Sequence, residues 1–111
     1  MGRGEGAAPR CEGVKIQVLD DAEDDLRVGR DFYERCEPGV GAYFAAALAS
    51  DIDSLRLFAG IHSIEFGFHC ALSKRFPFGI DYRIEESTVR VYAALDLRRD
   101  PAWIRRRLGG T

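Results

Sequence analysis

The sequence predicts an α+β fold: one strand, a helical hairpin, then three or four strands in succession, β-α-α-β-β-β(-β), with the hairpin packed on one face of a small, largely antiparallel sheet. Three observations predict it. Apolar residues recur with a helical period from Ala22 to Phe58, and with a period of two from Ile64 onward. The connections between the later strands are short, which makes those strands antiparallel neighbours. The chain has 111 residues, 46% of them hydrophobic, enough for one modest core and no second domain.

Residues 1–13 hold Gly2, Gly4, Gly6, Gly13 and Pro9 with no apolar period. They are expected to form a disordered N-terminal extension to a single domain over 14–111. Val14, Ile16 and Val18 share one face of a short strand. Asp20 or Asp21 then serves as a helix N-cap, with Glu23, Asp24 and Asp25 placing negative charge over the first turn, where the helix dipole favours it. Ala22, Leu26, Gly29, Tyr33 and Cys36 follow on one helical stripe widened by Phe32, and Pro38-Gly39 ends that helix. A second helix is predicted from about Val40 to about Leu57, with Phe44, Leu48, Ile52, Leu55 and Phe58 inward and Asp51, Asp53 and Arg56 on or near the solvent side. Gly60 closes the helical half.

Ile64, Phe66, Phe68, Cys70 and Leu72 then alternate with polar or small residues, which predicts one buried strand face. Gly67 interrupts this stretch and implies a hairpin or a bulge. The next strand places Phe78, Ile80, Tyr82 and Ile84 on one face, and the last, Thr88 to Leu95, offers Val89, Val91, Ala93 and Leu95. Trp103, after Pro101, is expected to pack the C-terminal turn onto the sheet.

Charge and cysteine content narrow the function classes. The formal charge of −2 argues against a protein that coats nucleic acid nonspecifically. Residues 1–61 carry 7 basic and 12 acidic side chains, whereas residues 62–111 carry 9 and 6, so an anionic partner is expected on the C-terminal half. Cys11, Cys36 and Cys70 are odd in number and lack the paired spacing of a zinc site, so they are read as ordinary small apolar residues in a reducing compartment. The longest apolar stretches fall far short of the roughly 20 residues that span a bilayer, and the charged, Gly-rich start lacks an apolar signal core. A cytoplasmic protein without membrane contact, cofactor or metal is expected.

Four stretches carry a family resemblance. They are the acidic helix start with Phe32-Tyr33; the Gly41-x-x-Phe44 opening of the second helix; Arg75-Phe76-Pro77-Phe78-x-Ile80-x-Tyr82-Arg83-Ile84; and Val91-Tyr92-Ala93-x-Leu95-x-x-Arg98-Arg99-Asp100-Pro101-x-Trp103. In this order they resemble the RelE/ParE toxin superfamily, also called plasmid stabilisation proteins, over Val14 to about Leu108. The resemblance implies the toxin of a type II toxin–antitoxin system, neutralised by a cognate antitoxin. It implies one of two targets: ribosome-bound messenger RNA, which the RelE branch cleaves, or DNA gyrase, which the ParE branch poisons without being a nuclease. An inactive homologue that only occupies an antitoxin is a third reading.

RNA cleavage through the 2′-hydroxyl needs a proton acceptor, a proton donor and cations for the crowded phosphate. Lys74, Arg75, Arg83, Arg98 and Arg99 are the candidate cations, and Tyr82 or Tyr92 the candidate phenol, although Tyr82 also reads as core. Many relatives carry a His where this chain has Asp96 and an Arg where it has Cys70, and neither replacement supplies the same chemistry. His62 and His69 read as the polar face of a strand. This balance favours binding over catalysis, with Arg98, Arg99, Arg105 and Arg106 as the target-binding set. The alternative for Arg105–Arg107 is a solvated helix end.

Overall fold

The computed structural model describes residues 14–109, so the expectation of a disordered extension at 1–13 lies outside the described residues. The chain runs β1 (Lys15–Val18), α1 (Asp20–Cys36), α2 (Val40–Asp53), α3 (Leu55–Phe58), β2 (Ile64–Glu65), β3 (Phe68–Leu72), β4 (Phe78–Glu85), β5 (Thr88–Asp96) and α4 (Pro101–Arg107). The five strands form one sheet in the order β1-β5-β4-β3-β2. Among the described residues the β1–β5 pairing is parallel and the other three are antiparallel. The predicted α+β class and hairpin-on-sheet layout stand. Among the described residues no helix is long and apolar enough to cross a membrane.

The acidic cluster at 20–25 opens α1, but the cap position is Leu19 and no side chain caps it. Asp20, Asp21 and Glu23 instead occupy the first turn, where their charge still complements the exposed N–H groups. Ala22 and Gly29 are buried, with Leu26 and Tyr33 packed against the core, whereas Phe32 and Cys36 are exposed and fall outside the stripe predicted for them. Gly29 lets the hairpin close, because a Cβ there would lie 2.6 Å from the Phe44 ring. The turn is tied by Glu34, whose carboxylate accepts from the N–H groups of Gly39 and Gly41 at the start of α2. Residues 40–57 are two helices, not one. The Ser54 hydroxyl donates to the Asp51 carbonyl, the local hydrogen bond by which serine bends a helix, and the short α3 follows.

Two further corrections concern which side chains face inward. Asp51 is buried, not solvent-facing: it accepts from the Ser73 hydroxyl at 2.7 Å and the Lys74 N–H at 3.3 Å and so anchors the β3–β4 loop on α2. On the other side, Ile64, Phe66, Leu72 and Ile84 are exposed. The Gly67 interruption is a hairpin, with Phe66 at φ 55° and Gly67 at φ 86° as its two turn residues.

A bulge divides the apolar face predicted for β5. Asp81 sits opposite Ala93 but Tyr82 sits opposite Val91, leaving Tyr92 as the extra residue. Val89 and Val91 therefore join the core beneath the helical hairpin with Phe44, Leu48, Ile80 and Tyr82. Ala93 and Leu95 join Phe68 and Leu108 in a second cluster, packed by Tyr92, Trp103 and Ile104. The sheet thus carries an apolar layer on each face, and α4 covers the second one.

Candidate functional site

The C-terminal arginines stand where β5 ends and α4 begins, and the bulge and α4 decide what each can reach. Asp100 starts α4 by accepting from the Ala102 N–H, with Pro101 at the first helical position. Arg98 is not free. Its Nε and one terminal nitrogen bind both oxygens of Asp96, at 2.9 and 2.8 Å, and its backbone N–H donates to the same carboxylate. The hydrogen bonds from Arg98 hold the Asp96 carboxyl below the ordinary carboxylate range, and Asp96 in turn raises the guanidinium. Arg99 is exposed and lies 4.1 Å over the Trp103 ring. Arg105 and Arg106 are exposed on α4.

The remaining candidates do not converge on one reaction centre. Lys74 and Arg75 are exposed in the β3–β4 loop near α2, with Arg75 6.0 Å from the Tyr43 ring centroid. Arg83 lies on the opposite face of the sheet, 4.2 Å over Phe68 and 5.4 Å from Tyr92. Tyr82 is wholly buried. Its hydroxyl accepts from the Gly60 N–H at 2.8 Å and is hydrogen-bonded to His62 Nδ1 at 2.6 Å. Burial raises the phenol above its ordinary value and lowers His62, which His69 lowers further. The predicted candidate phenol is thus a structural tie between β4 and the 60–62 loop. The other candidate, Tyr92, is half-buried and donates to Glu85. Both histidines, read from sequence as facing water, are half-buried: His69 stacks on the Tyr82 ring at 5.0 Å, and its Nδ1 lies 3.0 Å from the His62 carbonyl, as a donor.

Two residues to which the sequence reading gave other roles, Asp25 as first-turn charge and Arg107 as a solvated helix end, organise the C-terminal surface. Asp25 of α1 accepts from the Ala94 N–H at 3.1 Å and pairs with Arg107 at 2.6 Å. It thereby satisfies β5 beyond the point where β1 stops and ties α4 to α1. Burial raises the Asp25 carboxyl, opposed by the Ala94 N–H and by Arg107. The available signal was spacing, since Asp25 is three residues from Ala22 and four from Gly29, on the stripe that faces inward. Next to this tie is an open cleft of about 500 Å³ between α1 and α4, with Val28, Phe32, Phe78 and Trp103 as apolar lining and Arg35 and Arg99 as cations. Among the described residues no cluster of three His, Cys, Asp or Glu side chains is placed to hold a metal ion. What the surface offers chemically is cationic and apolar contact area.

No family model and no curated protein matches the sequence. A solved structure does: a chain of the chromosomal ParDE TA system from P. aeruginosa superposes with a TM-score of 0.70 at 17% identity, covering 76% of this chain and 96% of that one. At that identity the likeness establishes a fold shared with that chain.

Proposed function

We propose that this chain is the toxin of a type II toxin–antitoxin pair, a plasmid stabilisation system, acting in the cytoplasm by binding an essential target in the manner of ParE-like gyrase poisons. The likeness to a ParDE chain supports the system-level reading. The position of Tyr82 carries the choice of binding over RNA cleavage. Its side chain is buried and its hydroxyl is engaged by the Gly60 N–H and by His62, which supports a structural role in place of proton transfer to a substrate. The neutralisation of Arg98 by Asp96 supports the same choice, because it removes one cation from the set a nuclease would aim at phosphate.

The target-binding surface in this reading is Arg99 with Arg105 and Arg106, with Arg98 holding the turn that presents them. The cognate antitoxin would cover the apolar cleft between α1 and α4, where Val28 and Phe32 are exposed beside Arg35 and Arg99.

Purified protein added to gyrase and plasmid should accumulate linear DNA. Cleavage of ribosome-bound message in a translating extract, with supercoiling untouched, overturns the gyrase reading in favour of a RelE-type endoribonuclease. Harmless expression without antitoxin overturns both and leaves the inactive homologue.

A further inference from the structure

Five large apolar side chains at one end of the sheet face solvent. Leu57, Phe58, Ile61, Ile64 and Ile84 are each between 44% and 73% exposed, and Ile61 is the most exposed of them. The loop that carries Ile61 lies against β4: at Gly60, φ 96°, a Cβ would come within 3.4 Å of Ile84 Cδ1. Ile64 shares that face of the sheet, because it pairs with His69 and His69 pairs with Tyr82. Together they leave on the order of 500 Å² of apolar surface open, near the upper end of what the largest patch on a monomer shows.

Beside this loop a groove of about 370 Å³ opens between α3 and the β4–β5 turn, lined by Val14, Leu57, Ile84 and Val89, with Arg56 and Glu86 as its charges. A protruding side chain and a hollow thus lie on one surface. Arg56 is paired with Asp53, whereas Glu86 has no cation paired with it among the described residues. Glu86 also holds a left-handed backbone conformation, φ 59°, at a two-residue turn position that favours Gly. Its side chain is exposed, so nothing gained by burial within one chain offsets that conformation.

We propose that this face joins two copies of the chain about a two-fold axis, with Ile61 of each copy entering the groove of the other and Glu86 of one approaching Arg56 of the partner subunit. A two-fold contact requires a surface complementary to itself. Here the projection and the hollow, and the acid and the base, stand side by side on the same face, so a half-turn brings each opposite its complement. The area is of the right order as well: a standard interface takes about 800 Å² per partner, an apolar centre within a polar border. A bilayer fits less well, because a patch that lies on a membrane is bordered by several cations, and this groove has one, already paired, beside an acid. The face shares no residue with the α1–α4 cleft given to the antitoxin, so the inference stands apart from the toxin reading.

The test is sedimentation equilibrium of the full chain from about 1 to 100 μM, the range in which a modest interface associates. The mass should reach twice the 12.4 kDa of one chain. Ile61→Asp should weaken association at least about tenfold, because it places a charge in an apolar hollow. Leu72→Asp, at a similarly exposed position on the α4 face, should leave association unchanged. Glu86→Gly relieves the left-handed backbone, so it should keep or raise the melting temperature of the dilute monomer while weakening association by roughly two- to fivefold, the range for one exposed ion pair. Should Ile61→Asp unfold, Leu57→Gln takes its place and should give a loss of the same sign. A single-chain mass still present at about 100 μM, undiminished association of a folded Ile61→Asp protein, or an equal loss in Leu72→Asp overturns the proposal. Flotation of the chain with phosphatidylserine vesicles, abolished by Ile61→Asp, would give the patch to a membrane and overturns it too.

Discussion

Single side chains here do structural work that their chemistry disguises. Tyr82 joins the sheet to the loop that leaves the helical half, through the Gly60 N–H and His62. Tyr82→Phe should cost about 1–3 kcal/mol, the penalty for leaving a partly buried donor unmet. Under the proposed function, toxicity per folded molecule should stay unchanged, as urea melts and growth assays at matched folded concentration would show; lost toxicity at full folding would favour the RNA-cleaving alternative. His62 brings a pH dependence. Its folded value lies below 6.5 because burial disfavours the cation, so the neutral ring is the form the fold accepts. A lowered base costs nothing above the unfolded value and destabilises as pH falls through 6.5 toward the folded one. Melting temperature should therefore fall on acidification from about pH 7 toward pH 5, the span in which histidine titrates. His62→Asn should flatten that segment of the profile.

At the scale of elements, the Asp25–Arg107 pair decides whether α4 stays on the sheet. Removing Arg107 leaves Asp25 half-buried with only the Ala94 N–H. Arg107→Ala should cost about 1–3 kcal/mol, between the values for exposed and buried pairs. The sign with pH is set by burial. A carboxyl raised above 3.8 in the folded state favours folding while protonated and loses that contribution as pH rises through its folded value. The Arg107→Ala penalty should accordingly be larger at neutral than at acid pH, measured by chemical denaturation at both; an equal penalty would assign Arg107 to packing alone. Much at this scale was legible beforehand. Ala22, Gly29, Phe44 and Leu48 fall on helical stripes, and every strand began near its apolar alternation. The bulge at Tyr92 was not legible, because alternation through Val89, Val91, Ala93 and Leu95 reads as one face until a partner strand shows two residues against one. The break at Ser54 and the burial of Asp51 depend on tertiary contacts of one loop. At the candidate site, the position of the arginines was readable but their partners were not: Arg98 and Arg99 are adjacent in sequence, and only geometry gives one to Asp96 and the other to Trp103.

For the whole molecule, strands β3 and β5 contribute side chains to both apolar layers, so neither layer has a sheet without the other. Unfolding should be a single cooperative transition. Trp103, the only tryptophan, reports the α4 face, and far-ultraviolet circular dichroism is weighted to the helical hairpin. The two curves should coincide in urea. Phe44→Ala should shift both together by about 3–5 kcal/mol, whereas a fluorescence curve left in place would mean that the layers melt separately. The parallel contact between β1 and β5 has a consequence in time. Gln17 and Arg90 face each other across that pairing although they are 73 positions apart in sequence. At a synthesis rate of roughly 5 to 20 residues per second, several seconds separate the making of the two. Until then β1 has no strand to join and the hairpin has only part of its sheet, so a growing chain carries this apolar strand unpaired until β5 has been made. The sheet is closed by β5, and β1, made long before it, is among the last strands to find its place.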